Sequence, residues 1–175
     1  MKHVLFPGNS SSILRSLTKS LAVVAVCFFS FLSKAQAQDS AEKTRLGELL
    51  KSYYVVKDAL VAGNSSAAAA GSTAFIKNIN GISYQVISEG NVTALVKDAG
   101  AIADAKDIKL QRQYFANFSD NMAELAKALK LTSAPVYIQY CPMKKASWLS
   151  SEKAIKNPYY GSAMLTCGNV TETIE

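Results

Sequence analysis

Apolar residues recur at helical spacing over most of the chain and lose that period near its end. Leu46, Leu49, Tyr53, Val56 and Leu60 step by three and four, which predicts one buried face of a helix that stops at Gly63-Asn64. Asp39 and Ser40 offer N-caps for it, and Asp39 with Glu42 has the spacing of a capping box. The alanine-rich stretch from Ser65 to Gly81 predicts a second helix whose small side chains bury little area but allow close packing. Ile82 to Val86 alternates like a short strand, with a continued helix as the alternative. Val92, Leu95, Ala99 and Ile102 mark a third helix with Asn91 as its N-cap. Ile108, Phe115, Phe118, Met122, Leu125 and Leu129 give the clearest helix of all, and its Lys109, Arg112, Asp120, Glu124 and Lys127 read as a solvated face. The fold expected is mainly α: an antiparallel four-helix bundle over residues 38–132.

The texture changes at Ser133-Ala134-Pro135. Val136 to Tyr140 reads as an extended run into Cys141. Ser150-Ser151-Glu152 carries a start signal for one or two helical turns through Ile155, and Asn157-Pro158-Tyr159-Tyr160-Gly161 has turn chemistry. Residues 133–175 are expected as an appendage of short extended and helical turns, continuous with the bundle in a single domain over 38–175.

The start of the chain looks like an export signal. Lys2, Arg15 and Lys19 precede the apolar run Leu21 to Leu32, and Ala35-Gln36-Ala37 has the form of a cleavage site. That run is shorter than the roughly 20 residues a spanning helix needs, so a cleaved signal peptide over residues 1–37 and a periplasmic location are expected. Cleavage would also remove Cys27 and lower the net charge from +6 to +2, because 4 of the 19 basic residues (Lys2, Arg15, Lys19, Lys34) and none of the 13 acidic ones lie there. Nucleic-acid binding thereby loses its compositional support. The one histidine, His3, lies in the same segment, which leaves no imidazole for a triad, a Cys-His dyad or a zinc-protease motif. With no glycine-rich phosphate loop and no C-x-x-C pair either, no enzyme is expected.

The remaining chemistry gathers in the tail. Cys141 and Met143 form C-P-M, while Met164 and Cys167 form M-L-T-C. Two thiolates with two thioethers make a donor set suited to Cu(I) or another soft metal. The same cysteines also suit a disulfide, as is usual in exported proteins. That bond would close a span of 26 residues between Cys141 and Cys167 and contribute about 3.5 kcal/mol on the chain-entropy account. Met143 and Met164 have packing as their plain alternative. Trp148 with Tyr140, Tyr159 and Tyr160 fits either an aromatic groove for a partner or the tail's own small core.

These motifs support a resemblance. Y-C-P-M, W-L-S, I-x-N-P-Y-Y-G and M-L-T-C-G, preceded by A-D-A-K-D-I-x-x-Q-R-x-x-F, resemble an exported bacterial family of unknown function. Its small helical domain occurs alone or fused to periplasmic adaptor subunits of heavy-metal efflux pumps. The likeness runs from about Leu46 to Val170. It implies an association with copper or other heavy-metal handling and an adaptor protein as partner. It also places Cys141, Met143, Met164 and Cys167 at the family's sulfur positions, and Trp148, Asn157, Pro158 and Gly161 in its framework. C-P-M is similar to the start of the short metal-binding segment of copper pumps, without that segment's histidine or second C-x-x-C. Many family members carry histidine beside the first cysteine; here that position is Tyr140, which counts against zinc and Cu(II). Two functions follow as expectations: a soft-metal binding or efflux-accessory protein, or a protein-interaction module pinned by a Cys141–Cys167 disulfide.

Overall fold

In a computed structural model, the structure of this protein describes residues 40–175; the expected signal peptide, its cleavage site and the Asp39 cap lie outside them. Four helices come first: α1 over residues 40–61, α2 at Ser65–Ile79, α3 at Glu89–Asp104 and α4 at Ile108–Ala128. Three short strands follow: β1 at Val136–Cys141, β2 at Ala146–Ser150 and β3 at Asn169–Ile174, with a 3₁₀ turn at Gly161–Met164 between the last two. The protein is therefore mainly helical with a small antiparallel sheet at its end. No helix among the described residues is long and apolar enough to cross a membrane.

The helices bury the faces that the spacing marks. Leu49, Tyr53, Val56 and Leu60 are fully buried on α1, and Val92, Leu95, Ala99 and Ile102 form the buried face of α3. At the end of α1, Gly63 takes φ 72° and the Asn64 N–H reaches back to the Ala59 carbonyl at 2.9 Å, a glycine-dependent helix stop. Asn64 then opens α2, its side chain accepting the Ala67 N–H at 2.9 Å. The small residues of α2 serve close approach: a Cβ on Gly71 would lie 3.1 Å from Val55 Cγ1 and 3.2 Å from Val56 Cγ2.

Two local expectations are corrected here. Residues 82–86 form turns and no strand: the Ile82 N–H bonds the Ile79 carbonyl at 3.1 Å and the Val86 N–H bonds Ser83 at 2.9 Å. The alternating Ile82, Tyr84 and Val86 do not share a buried face, since Tyr84 is exposed; Ile82 and Ile87 instead anchor a short interhelical link in the core. The N-cap of α3 is Ser88, three residues before Asn91, whose N–H it accepts at 3.4 Å.

α3 packs against both α2 and α4. Tyr53, Phe75, Phe115 and Phe118 meet at the centre, with Phe75 edge-on to Phe118 at 4.7 Å and Tyr53 lying 5.4 Å from Phe118, spacings that favour aromatic pairs. The rings continue into the tail: Phe115 lies 5.7 Å from Tyr159, which lies 6.0 Å from Trp148.

The sheet has the order β2-β1-β3, with Cys141 opposite Ala146 on one side and Tyr140 opposite Asn169 on the other. β2 lies against α4 and is largely buried, whereas β3 is almost wholly exposed. Tyr53 of α1 accepts the outward-facing Leu149 N–H of β2 at 3.0 Å and also bonds the Ser119 hydroxyl of α4. This hydroxyl satisfies a sheet-edge donor that would otherwise be buried without a partner. Glu42–Glu175 forms one compact unit.

The helical turns expected from Ser150 through Ile155 are absent: Ser150 ends β2, and bends follow over 151–154. Gln139, fully buried on β1, donates its amide to the carbonyls of Glu152, Lys153 and Ala154 at 2.7, 3.3 and 3.2 Å. That amide ties the bend over 152–154 to β1.

Candidate functional site

Cys141 ends β1, and the chain reverses at once. Pro142 presets its own φ and carries no N–H, so it suits the first position of a turn. Lys145 takes the left-handed region at φ 56°, and its N–H closes the loop on the Cys141 carbonyl at 2.8 Å. This geometry directs the backbone N–H groups of Lys144 and Met143 at the Cys141 sulfur.

Cys167 arrives from the other side. Its N–H bonds the Met164 carbonyl at 3.1 Å, leaving the 3₁₀ turn, and Gly168 follows at φ 146°. A Cβ on Gly168 would lie 2.8 Å from the Tyr140 carbonyl and 2.9 Å from the Trp148 ring. Only glycine permits that approach, so C-G is a steric requirement for Cys167 to reach Cys141.

The two Sγ atoms lie 3.6 Å apart as free thiols, with Cys141 fully buried and Cys167 partly exposed. Asn157, also fully buried, holds them in place. Its amide donates to the Cys167 carbonyl at 2.8 Å and reaches the Cys141 sulfur, while its Oδ1 accepts the Tyr159 N–H at 2.8 Å. Its own N–H is tied to the Leu165 carbonyl at 2.8 Å. Burial pushes the Cys141 thiol up, but the N–H of Lys144, the Asn157 amide, the Cys167 thiol and the N–H of Met143 outweigh it and hold Cys141 below the ordinary thiol range. Cys167 is raised, first by its hydrogen bond to Cys141 and then by burial. Either sulfur can donate in the bond between them, and the N–H groups around Cys141 favour ionisation there before Cys167.

Two thiolates bound at zinc-like distances in a tetrahedral site stand about 3.8 Å apart, close to the 3.6 Å found here. No group of three or more His, Cys, Asp or Glu gathers as a ligand set among the described residues. Met143 and Met164 lie two and three residues from Cys141 and Cys167 in sequence, and both are exposed.

The aromatic residues divide. Trp148 and Tyr159 are core, with the Tyr159 hydroxyl donating to the Ser147 carbonyl, so they form no open groove; Tyr140 and Tyr160 are half-buried. Three contributors escaped sequence reading. Asn157 counted only as framework, although a buried asparagine in a turn motif signals a clamp. Gln111, fully buried on α4, donates to the carbonyls of Ser65, Ile102 and Ala105. Arg112, expected on the solvated face, is half-buried: it donates to the Leu60 carbonyl at 2.7 Å, against the backbone of Gly161. That contact docks the N-P-Y-Y-G turn onto the end of α1.

Residues 49–134 match a family model described as "Protein of unknown function (DUF3347)". The matched stretch covers most of α1 and all of α2, α3 and α4, and ends before Cys141. No curated protein and no solved structure matches the chain.

Proposed function

We propose that the protein is an exported, non-enzymatic binder of a soft metal ion, Cu(I) or Ag(I), held by Cys141 and Cys167 with Met143 and Met164 available as thioether donors. In this reading the four helices form an antiparallel bundle that acts as scaffold, and the site works in the periplasm beside the adaptor of an efflux pump. The observation that carries it is the 3.6 Å approach of two free thiols with N–H donors converging on the buried one. Such donors stabilise a thiolate, the form that binds metal. Soft sulfur donors then favour Cu(I) over hard cations.

Native mass spectrometry of the mature protein, reduced and supplied with Cu(I) without oxygen, tests this. One bound Cu(I), lost in Cys141→Ser and weakened in Met164→Leu, is the expected result. A folded, reduced protein that takes up no Cu(I) would overturn it.

The second reading, an interaction module stapled by a Cys141–Cys167 disulfide, is favoured by the complete burial of Cys141, since structural disulfides lie within the fold. Protein isolated without reductant would then be lighter by two hydrogens and bind no metal even after reduction.

A further inference from the structure

We infer that the Cys141–Cys167 pair is opened and closed by thiol–disulfide exchange with an external dithiol, and that the incoming thiol always engages Cys167 while Cys141 is the sulfur released. This deepens the soft-metal reading and rests on it, because it says how the pair is brought to its metal-binding form.

Cys141 is fully buried and Cys167 is partly exposed, so an attacking sulfur approaching in line with the S–S bond reaches only Cys167. The N–H of Lys144 and the amide of Asn157 are directed at the Cys141 sulfur and receive the charge it carries away; the Met143 N–H serves both sulfurs, and Asn157 meets Cys167 only through its carbonyl. Exchange proceeds by thiolate attack on one disulfide sulfur, and access together with the leaving group selects which one. The separation of 3.6 Å between the free sulfurs leaves a short movement for bond formation.

The step balances. An external thiolate attacks Cys167 Sγ, the Cys141–Cys167 bond breaks, and its electron pair leaves on Cys141. The second thiol of the same reductant, deprotonated, then attacks its own partner sulfur in the mixed disulfide. Cys167 is released as thiolate, and the reductant, having supplied two electrons, departs as a disulfide. Closure is the reverse.

The test uses the full mature protein as Cys141→Ser and Cys167→Ser, each reduced and then treated with oxidised glutathione, with mixed-disulfide formation followed by mass. Cys141→Ser, which retains Cys167, is expected to react at least about tenfold faster than Cys167→Ser, with the difference abolished in urea. Equal rates in the folded state, or faster reaction at Cys141, would overturn the proposal. Should either variant fail to fold by circular dichroism, limiting alkylation of the reduced wild type with peptide mapping decides instead: Cys167 is expected to be labelled first, and first labelling at Cys141 overturns it. Neither readout involves metal. A protein that exchanges at Cys167 yet binds no Cu(I) loses the soft-metal reading alone, and one that binds Cu(I) but reacts first at Cys141 loses this proposal alone.

Discussion

The helices and the sheet are held together by different physics. Over residues 40–128, apolar faces close on an aromatic centre, and Leu49, Phe75, Phe115, Phe118 and Met122 are fully buried. Over residues 136–174 buried side-chain amides do more of the organising: Gln139 gathers three carbonyls and Asn157 ties both cysteines, whereas the helices use such an amide at Gln111, where α2, α3 and α4 meet. An apolar core tolerates substitutions of similar volume. A polar clamp does not, because each lost partner leaves a buried group unsatisfied. Away from Gln111 and Arg112 the helical region is thus a scaffold that tolerates exchange at similar volume, while the sheet region depends on its clamping amides.

The largest expected effect falls on the scaffold. Phe118→Ala should cost about 3–5 kcal/mol in urea unfolding and lower the transitions of helices and sheet together, since Phe115 and Tyr159 pass the packing from one to the other. Gly161→Ala should cost about 2–4 kcal/mol, because its φ is 57° and a Cβ would crowd Arg112 Nη2 and lie 2.9 Å from the Val61 carbonyl. That loss strikes the joint between the two regions, and lysine at Arg112 should not relieve it.

Asn157→Ala should cost about 2–3 kcal/mol and separate the regions. Near-ultraviolet dichroism from Trp148 should fade before the helical far-ultraviolet signal. Coincident transitions in this variant would break the contrast drawn above. Tyr53→Phe keeps the ring and removes the acceptor of the Leu149 N–H, with an expected cost of about 1–2 kcal/mol.

The smallest effect is a titration. Cys141 lies below and Cys167 above the ordinary thiol value of 9.0, so the ultraviolet absorbance of thiolate in the reduced protein should rise in two steps on either side of it. The lower step should move upward in Asn157→Leu, which removes a donor to the Cys141 sulfur. One step for both thiols at the ordinary value would refute the asymmetry of the pair.

What was legible in the sequence follows the same division. Residue spacing located α1, α3 and α4, because a helix writes its buried face into local periodicity; Val92, Leu95, Ala99 and Ile102 are buried as that spacing predicts. It located β1 but neither β2 nor β3, because a strand of five or six residues is defined by a partner that local pattern does not name. The cysteines were found by residue type, and the structure adds their convergence. The roles of Gln139, Asn157 and Arg112 were hidden because each depends on a carbonyl brought near by tertiary structure. Arg112 looked solvated because helical spacing fixes the face of a residue and says nothing of a turn that docks over it.

The Tyr53 hydroxyl has a consequence for the order of folding. Its bond to the Leu149 N–H joins residues 96 apart in sequence, whereas the contacts that nucleate the helices lie within single turns. Contacts of long separation carry the larger loop-closure cost and form late. The helices are therefore expected to assemble first and the sheet to settle on them afterwards. Until it does, Cys141 at the end of β1 and Cys167 ahead of β3 are two thiols not yet brought together, able to react with whatever they meet. The speed with which Tyr53 captures β2 sets how long that exposure lasts.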